Sequence, residues 1–297
     1  NLVNGLGVQK QTFAECTDIN NANPSVFDGI LGLAYPNLAS GGESPLFYNM
    51  WKQSLIRKPI FSFYLNPQVF PSKEFIFYKV RIFCRDTSAT TGGELIFGDI
   101  DRSKFVGPIT YVPVAIQGYW EFQMDRYRFH FFVNSIIHFH FNRITVGSTI
   151  LSETTYAIAD TGTTMIVGPS AQVEALHAAL GGSLDSSMTG TIICLIQYLF
   201  YLFFVVYSIQ SRSQNSPITF IIGGKPFTLN PSQYLLTYGD NDSGYTCYSI
   251  FMPGDQQDAN GNLFWILGDY FLYRYYSIYD IVNNQIGFAK SISYNYS

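Results

Sequence analysis

Residues 156–169, YAIADTGTTMIVGP, place a carboxylate, a glycine and several hydroxyls directly after a run of small apolar residues. Asp160 follows a predicted buried strand, and Gly162 allows a tight turn in which nearby amides can donate to the carboxylate. The threonine hydroxyls can tie this loop down. A carboxylate held in this way can act as a general base or as a general acid, but it cannot do both in one step. The stretch therefore calls for a second carboxylate.

Asp242, in an Asp-Ser-Gly sequence, is a substitute that the chain offers for a second loop of this kind. It follows TYGDN rather than an apolar strand, and it lies close before Cys247, so we interpret it as a loop turn. Asp-Thr-Gly by itself is a weak signal, since the same residues are ordinary in surface turns. The elements around Asp160 must decide between chemistry and a simple turn.

Short strand-like runs separated by Gly, Asn and Asp make up most of the chain, among them ELIFGDI, ITYVPVAI, ITFIIGGKPFTL and YSIYDIVNNQIGFAK. Such runs are typical of an antiparallel all-β protein. Two helices are predicted. One runs through SPLFYNMWKQSLI, with Ser44 as the N-cap and Pro45 at the first helical position. The other lies in PSAQVEALHAALGG, between Pro169 and Gly181.

A weak internal duplication relates the two ends of the chain. FDGILGLAYP and LFWILGDYFL share an Ile-Leu-Gly sequence, which is Ile30, Leu31 and Gly32 in the first and Ile266, Leu267 and Gly268 in the second. Ile-Leu-Gly is a common tripeptide, so the match carries little weight alone. It nevertheless predicts two similar halves.

Composition bounds the class of protein. The chain has 297 residues, is 47% hydrophobic and contains 25 glycines and 13 prolines, which is typical of a globular, turn-rich protein. The formal charge is −4. Because no basic cluster offsets it, nucleic acid is not an expected partner.

The cysteines favour disulfides over metal binding. They are Cys16, Cys84, Cys194 and Cys247. Their spacing and the lack of nearby histidine pairs argue against a zinc site. We therefore expect no bound metal, and we expect one or two disulfides. Disulfides indicate an oxidising compartment, with which the sequons at Asn241 and Asn295 are compatible. The chain starts at Asn1 without a signal-peptide pattern, so we expect a processed chain or a fragment.

Three segments, 67–84, 126–142 and 195–213, interrupt the pattern with Phe, Tyr, Ile and Leu and few acids. Residues 192–209 lack charge and approach the length of a membrane span, but strand-like sequence on both sides argues against one. His138 and His140 alternate with Phe, and we interpret them as packing residues rather than metal ligands. Our hypothesis is that the three segments are retained introns.

The order of the motifs resembles the pepsin-like aspartic proteases, of the pepsin and cathepsin D or E type. The resemblance rests on AIADTGTTMIVGP, FDGILGLAYP, TGGELIFGDID and WILGD, and it covers nearly all of the chain outside the three segments. It implies a bilobal all-β fold whose first lobe is incomplete. Residues 1–125 would form a partial N-terminal lobe with the inter-lobe strands. Residues 143–297 would form the C-terminal lobe, and the three segments would be atypical insertions.

In this family two carboxylates about 3 Å apart share a proton, so that one acts as base on a water and the other as acid on the peptide carbonyl. The resemblance makes Asp160 the second-lobe catalytic carboxylate and Thr161 a buried supporting hydroxyl. It assigns contacts with the substrate backbone to Gly162, Thr163 and Thr164. It implies protein or peptide substrates, an acidic pH optimum and no cofactor.

The resemblance also implies a disulfide between Cys194 and Cys247, whereas it assigns no partner to Cys16 or Cys84. The second Ile-Leu-Gly would thread beneath the loop of Asp160, and the first would do the same for a first-lobe loop. That first loop and the flap are expected upstream of a sequence like NLVNGLGVQKQTF, where this chain starts. We therefore expect the chain alone to be inactive and prone to aggregation.

The sequence leaves three alternative functions to be compared. The leading one is an aspartic endopeptidase, and the second is a pepsin-like pseudoprotease that binds peptides without cleaving them. The third, a retroviral-type protease completed by homodimerisation, is disfavoured because both Ile-Leu-Gly halves are already present. We expect a monomer of the secretory pathway, either extracellular or endosomal and lysosomal. Substrate preference is not predicted.

Overall fold

The computed structural model describes residues 2–3, 5–15, 29–66, 93–124, 126–129, 139–142, 144–146, 149–150, 155–180, 216–240 and 244–292. Segments 67–84 and 195–213 lie outside these ranges, as do Cys16, Cys84, Cys194 and Asp242. The hypotheses on retained introns and on the cysteine pairs therefore stay predictions.

The described residues form mainly β-strands, which confirms the all-β fold class. The strands are β1 Leu2–Val3, β2 Leu6–Gly7, β3 Ile60–Leu65, β4 Gly93–Phe97, β5 Phe105–Gln117, β6 Trp120–Met124, β7 Arg126–Phe129, β8 Phe139–Asn142, β9 Ile144–Val146, β10 Thr149–Ile150, β11 Thr155–Ala159, β12 Ile166–Gly168, β13 Ile218–Ile222, β14 Lys225–Leu229, β15 Leu235–Asp240, β16 Gly244–Ser249, β17 Phe251–Pro253, β18 Phe264–Leu267, β19 Tyr275–Asp280 and β20 Gln285–Ser291.

A ten-stranded sheet spans the molecule in the order β17-β12-β18-β11-β6-β5-β20-β19-β3-β4. Neighbouring strands in this sheet are antiparallel, except that β11 is parallel to β18 and β12 is parallel to β17. A four-stranded sheet, β10-β9-β13-β14, and two-stranded ladders β1-β2, β7-β8 and β15-β16 complete the topology. The C-terminal strands β19 and β20 thus lie between β3 and β5, so strands far apart in the sequence are neighbours in one sheet.

The centre of the large sheet is an aromatic core. All six residues of β19 are buried, as expected for a strand covered on both faces. The Tyr279 ring stacks on Phe61 at 4.7 Å between centroids and meets Trp120 edge-on at 5.1 Å. Aromatic pairs in such geometries stabilise a core beyond their buried area. This core fixes β6 and, through it, the neighbouring strand β11.

The helices are short. They are α1 Leu46–Lys52, α2 Ser170–Ala179, α3 Pro231–Tyr234 and α4 Asp269–Leu272, with 3₁₀ turns at Pro36–Leu38 and Arg102–Lys104. Both predicted helices are confirmed. The predicted N-cap is wrong, because Pro45 has an extended ψ of 152° and itself occupies the cap position, and it makes no side-chain cap bond. The Ser44 carbonyl instead accepts from the side chains of Gln11 and Asn49.

Two side-chain contacts fix α2 against the end of the sheet. Asp255 caps the helix, accepting from the Ser170 amide at 2.8 Å and from its hydroxyl at 2.9 Å. The indole of Trp265, in β18, donates to the Gln172 side chain at 2.7 Å. Since β12 leads directly into α2, these contacts hold the strand that follows the Asp160 loop.

Candidate active site

Asp160 lies at the carboxyl end of β11, between two supporting strands. β11 pairs in parallel with β18, with Ala159 opposite Leu267, and antiparallel with β6. The Asp160 amide donates to the Leu267 carbonyl at 3.2 Å. The backbone that carries the carboxylate is therefore part of the buried sheet, while the side chain is half-buried at its edge.

The loop residues hold both oxygens of the Asp160 carboxylate. The Gly162 amide donates to Oδ1 at 2.8 Å, and the Thr163 hydroxyl donates to Oδ2 at 2.6 Å. The turn is closed by the Thr163 amide, which donates to the Asp160 carbonyl at 3.3 Å. A Cβ at position 162 would lie 3.1 Å from Oδ1, tighter than ordinary contact, so the glycine permits this close approach. The carboxylate is oriented but retains free lone pairs.

The junction between β18 and α4 supports the loop from beneath. The Asp269 amide donates to the Thr163 carbonyl at 2.8 Å, and the Tyr270 amide donates to the Thr164 carbonyl at 3.1 Å. A Cβ on Gly268 would overlap the backbone oxygens of Thr163 and Met165. The glycine of the second Ile-Leu-Gly is therefore required because the loop backbone lies directly against it.

Asp269 is a titratable neighbour of Asp160 that the sequence reasoning did not single out. Burial, followed by the charge of Asp160, raises the pKa of Asp269 to about 7. The buried Thr164 hydroxyl has no described partner of standard hydrogen-bond geometry, yet it lies close enough to this carboxyl to oppose part of the rise in pKa. The available signal was an acid directly after Ile-Leu-Gly, in the otherwise apolar WILGDYF.

Tyr279 is a further titratable side chain on which the charges of Asp160 and Asp269 act. It is completely buried, and burial raises its pKa, with smaller contributions from the charges of Asp160 and Asp269. The tyrosine therefore stays neutral throughout the pH range in which Asp269 titrates.

The remaining predicted site residues fall in different surroundings. Thr161 is half-buried and Gly162 is exposed, while Thr163 and Thr164 are half-buried. Cys247 lies in β16 opposite Thr237, and its predicted partner is outside the described residues. Within the described ranges, no group of three or more His, Cys, Asp or Glu residues is arranged to hold a metal ion.

The first Ile-Leu-Gly differs from the second. Ile30 is 91% exposed and Leu31 is 50% exposed, and the two do not lie in any strand of the described chain. The loop that this segment is expected to support lies upstream of Asn1, so the expectation stays a prediction. Leu33, just after it, is tied down because its carbonyl accepts from the Trp120 indole at 2.8 Å.

Comparison with known sequences shows the family to which the chain belongs. The family model described as eukaryotic aspartyl protease matches residues 2–291. The chain belongs to this family. The resemblance found in the motifs is thereby confirmed, and with it the pepsin-like bilobal fold class.

Relatives in the aspartyl protease family include cathepsin E of Aquarana catesbeiana, which is 35% identical over 98% of this chain and 60% of its own length. Cathepsin D of Dictyostelium discoideum is 34% identical over 98% of this chain and 63% of its own length. Pepsin A of Bos taurus is 33% identical over 89% of this chain and 56% of its own length. The chain thus spans less than two thirds of the length of these relatives. Of the helices in its described part, none is long and apolar enough to cross a membrane.

Proposed function

We propose that this chain carries one carboxylate of the catalytic pair of an aspartic endopeptidase, and that this carboxylate is Asp160. The observation that supports the proposal is the arrangement of its side chain. One oxygen accepts from the Gly162 amide and the other from the Thr163 hydroxyl, at the end of a buried strand. A carboxylate positioned in this way can take a proton from a water or return one to a carbonyl.

The loop residues have separate proposed roles. Thr163 orients the carboxylate through its hydroxyl, so its contact with a substrate would use its remaining hydrogen-bonding capacity. Gly162 and Thr164 are proposed to meet the substrate backbone, for which the exposure of Gly162 leaves room. Thr161 is proposed to support the pair from its half-buried position.

The proposed reaction needs a second carboxylate that shares a proton with Asp160, because a single group cannot supply both acid and base. The described Ile30, Leu31 and Gly32 have no loop against them, so the second carboxylate is proposed to come from another part of the full-length protein. Substrates are proposed to be proteins or peptides, cleaved at acidic pH without a cofactor. A monomer in the secretory pathway, extracellular or endosomal and lysosomal, with a Cys194–Cys247 disulfide, completes the proposal.

A peptide-binding pseudoprotease is the second candidate. It differs from the peptidase only in whether a second carboxylate completes the pair with Asp160. Such a protein would bind extended peptides but would not hydrolyse them.

The test is cleavage of an internally quenched peptide library by the full-length protein between pH 3 and pH 7. We expect cleavage at acidic pH, and we expect Asp160→Asn to reduce kcat/KM by at least about 10³-fold. Glu174→Gln, which changes an exposed carboxylate on α2, is the matched control and should leave the rate unchanged. Cleavage by the Asp160→Asn variant at the wild-type rate would refute the role of Asp160. Peptide binding without cleavage by the wild type would support the pseudoprotease.

A further inference from the structure

A cavity of about 660 Å³ is lined by strands of both larger sheets, outside the candidate active site. β5 and β20 of the ten-stranded sheet form one part of its wall, and β14, an edge strand of the four-stranded sheet, forms another. Its described lining residues include none from the loop 160–164. Small-molecule sites usually have volumes of about 300–1,000 Å³. The cavity is therefore large enough for a small organic molecule.

An irregularity in strand pairing borders this cavity. The register between β5 and β20 shifts between Phe288 and Lys290, so that β5 contributes extra residues at that point. Gly107 and Pro108 belong to the extra residues, and both line the cavity. Gly107 has a φ of 77°, and a Cβ placed on it would meet no atom within 4 Å. Because a bulge bends its strand locally, this part of the wall is shaped by the backbone.

The cavity presents accessible apolar surface. Val106 is 52% exposed, and Pro108 and Pro226 are also exposed. All three residues line the cavity. Removal of such surface from water is favourable, so an apolar group of a ligand would be stabilised against it.

The wall formed by β14 is fixed to the large sheet. The Phe227 ring meets Tyr275 edge-on at 4.8 Å and Phe288 edge-on at 5.9 Å between centroids. The Tyr275 hydroxyl donates to the Thr228 carbonyl at 3.0 Å. These contacts join the two sheets along the cavity, so its shape exists before a ligand binds. Binding to a preformed site loses less conformational entropy than binding that must order the site.

The charged residues of the cavity are cations. Lys225, Arg274 and Lys290 line it, whereas its described lining residues include no Asp or Glu. Lys225 and Lys290 are exposed, and neither forms an ion pair with an acid in the described part of the chain. The protein as a whole carries a formal charge of −4. A cleft lined by one sign of charge concentrates ions of the opposite sign, so this cavity favours anions.

A buried hydroxyl also lines the cavity beside these cations. Ser291 is 4% exposed, and its Oγ has no hydrogen-bond partner within the described ranges. The Ser291 amide donates to the Arg274 carbonyl at 2.9 Å, which places the two residues side by side in the wall. A buried hydroxyl without a bond is unfavourable. Rotation about its one side-chain bond would let it donate to a bound anion.

We infer that this cavity binds a small organic anion in which a carboxylate is joined to an apolar body. The body would lie against Val106, Pro108 and Pro226, and the carboxylate would lie near Lys225 and Lys290. An inorganic anion would leave the apolar wall exposed to water, and a neutral apolar molecule would not use the cations. The cavity matches a ligand that has both parts. This inference does not rest on the proposed peptidase activity.

The test is a ligand-observed NMR titration of the full-length protein at pH 6 with three probes. Naphthoate has both parts, naphthamide has the same body without the charge, and inorganic phosphate has the charge without the body. We expect naphthoate to bind with a Kd of about 1 mM or tighter, as its size allows. Each of the other two probes should bind at least about threefold more weakly, which is the scale of a modest ion pair. Equal affinity for naphthoate and either partial probe, or no binding of naphthoate, would overturn the inference.

A double variant assigns the binding to this cavity. Lys225→Gln combined with Lys290→Gln should weaken naphthoate binding by at least about fivefold and should leave naphthamide binding within about twofold. Lys10→Gln removes an exposed cation outside the cavity, so it is the matched control and should bind naphthoate as the wild type does. Both substituted lysines are exposed, so we expect the double variant to fold. Unchanged naphthoate affinity in the double variant, or an equal loss in Lys10→Gln, would contradict a site in this cavity, and the comparison of the three probes on the wild type remains decisive if the double variant does not fold.

Discussion

The two Ile-Leu-Gly segments of this chain have the same sequence but contrasting surroundings. In the second, Leu267 is completely buried, and Gly268 lies against the backbone of the Asp160 loop. In the first, Ile30 and Leu31 are largely exposed, and a Cβ on Gly32 would meet no atom within 4 Å. The tripeptide itself therefore does not specify a buried strand. Pairing with β11 on one side and β12 on the other gives the second copy its role.

The largest expected difference between the two segments lies at their glycines. Gly268→Ala should lower the free energy of unfolding by about 4 kcal/mol or more, because the added methyl overlaps backbone oxygens that cannot move without breaking the loop. Gly32→Ala is the matched control and should change it by less than about 0.5 kcal/mol. Urea denaturation of both variants measures the difference. Equal effects would show that the first segment is as tightly packed as the second.

The leucines should differ by a somewhat smaller amount. Leu267→Ala removes a fully buried side chain and should cost about 3 kcal/mol through lost burial and the remaining cavity. Leu31→Ala removes a side chain that is 50% exposed and should cost below about 1 kcal/mol. Thermal unfolding by circular dichroism compares the two. A cost of several kcal/mol at Leu31 would mean that a partner covers it in the full-length protein.

The smallest effect concerns the residue after each glycine, Asp269 in the second segment and Leu33 in the first. The pKa of Asp269 is about 7 in the fold, above its ordinary value of 3.8. The unfolded chain therefore releases this proton first, and the stability contributed by the protonated group falls as the pH rises from about 4 to about 7. Asp269→Asn should remove this fall, so that the variant gains roughly 2 kcal/mol relative to wild type between the two pH values.

Urea denaturation at pH 4 and pH 7 measures the Asp269 effect. All other titratable groups are the same in both proteins, so the difference between them isolates Asp269. Glu174→Gln again serves as the exposed control. An identical pH dependence in wild type and Asp269→Asn would show that Asp269 is ionised throughout this range.

Much of the fold was predictable from local patterns. Strand-like runs between turn residues predicted the all-β class, and the interiors of both longer helices were found where their sequences indicated. The N-cap at Ser44 was wrong because a helix boundary depends on one backbone angle, here ψ of Pro45, which the residue types did not determine. The sequence also did not predict that β19 and β20 lie between β3 and β5, since strand order depends on long-range packing.

Some residues of the candidate site were likewise predictable from the sequence, and others were not. Asp160, Gly162 and Thr163 were identified from their types and order, because the bonds between them span only two or three residues and follow from the local turn. Asp269 was missed because its proximity to Asp160 exists only after β18 pairs with β11, more than a hundred residues away along the chain.

The sequence by itself determined the family, the strand-rich architecture and the loop that holds the Asp160 carboxylate, since these depend on short-range order and on the succession of motifs. Only the tertiary structure decided which copy of Ile-Leu-Gly is buried and which carboxyl groups share a field. Burial and electrostatic coupling are properties of surroundings assembled from distant segments, so identical residues acquire different packing, and burial beside Asp160 raises the pKa of Asp269.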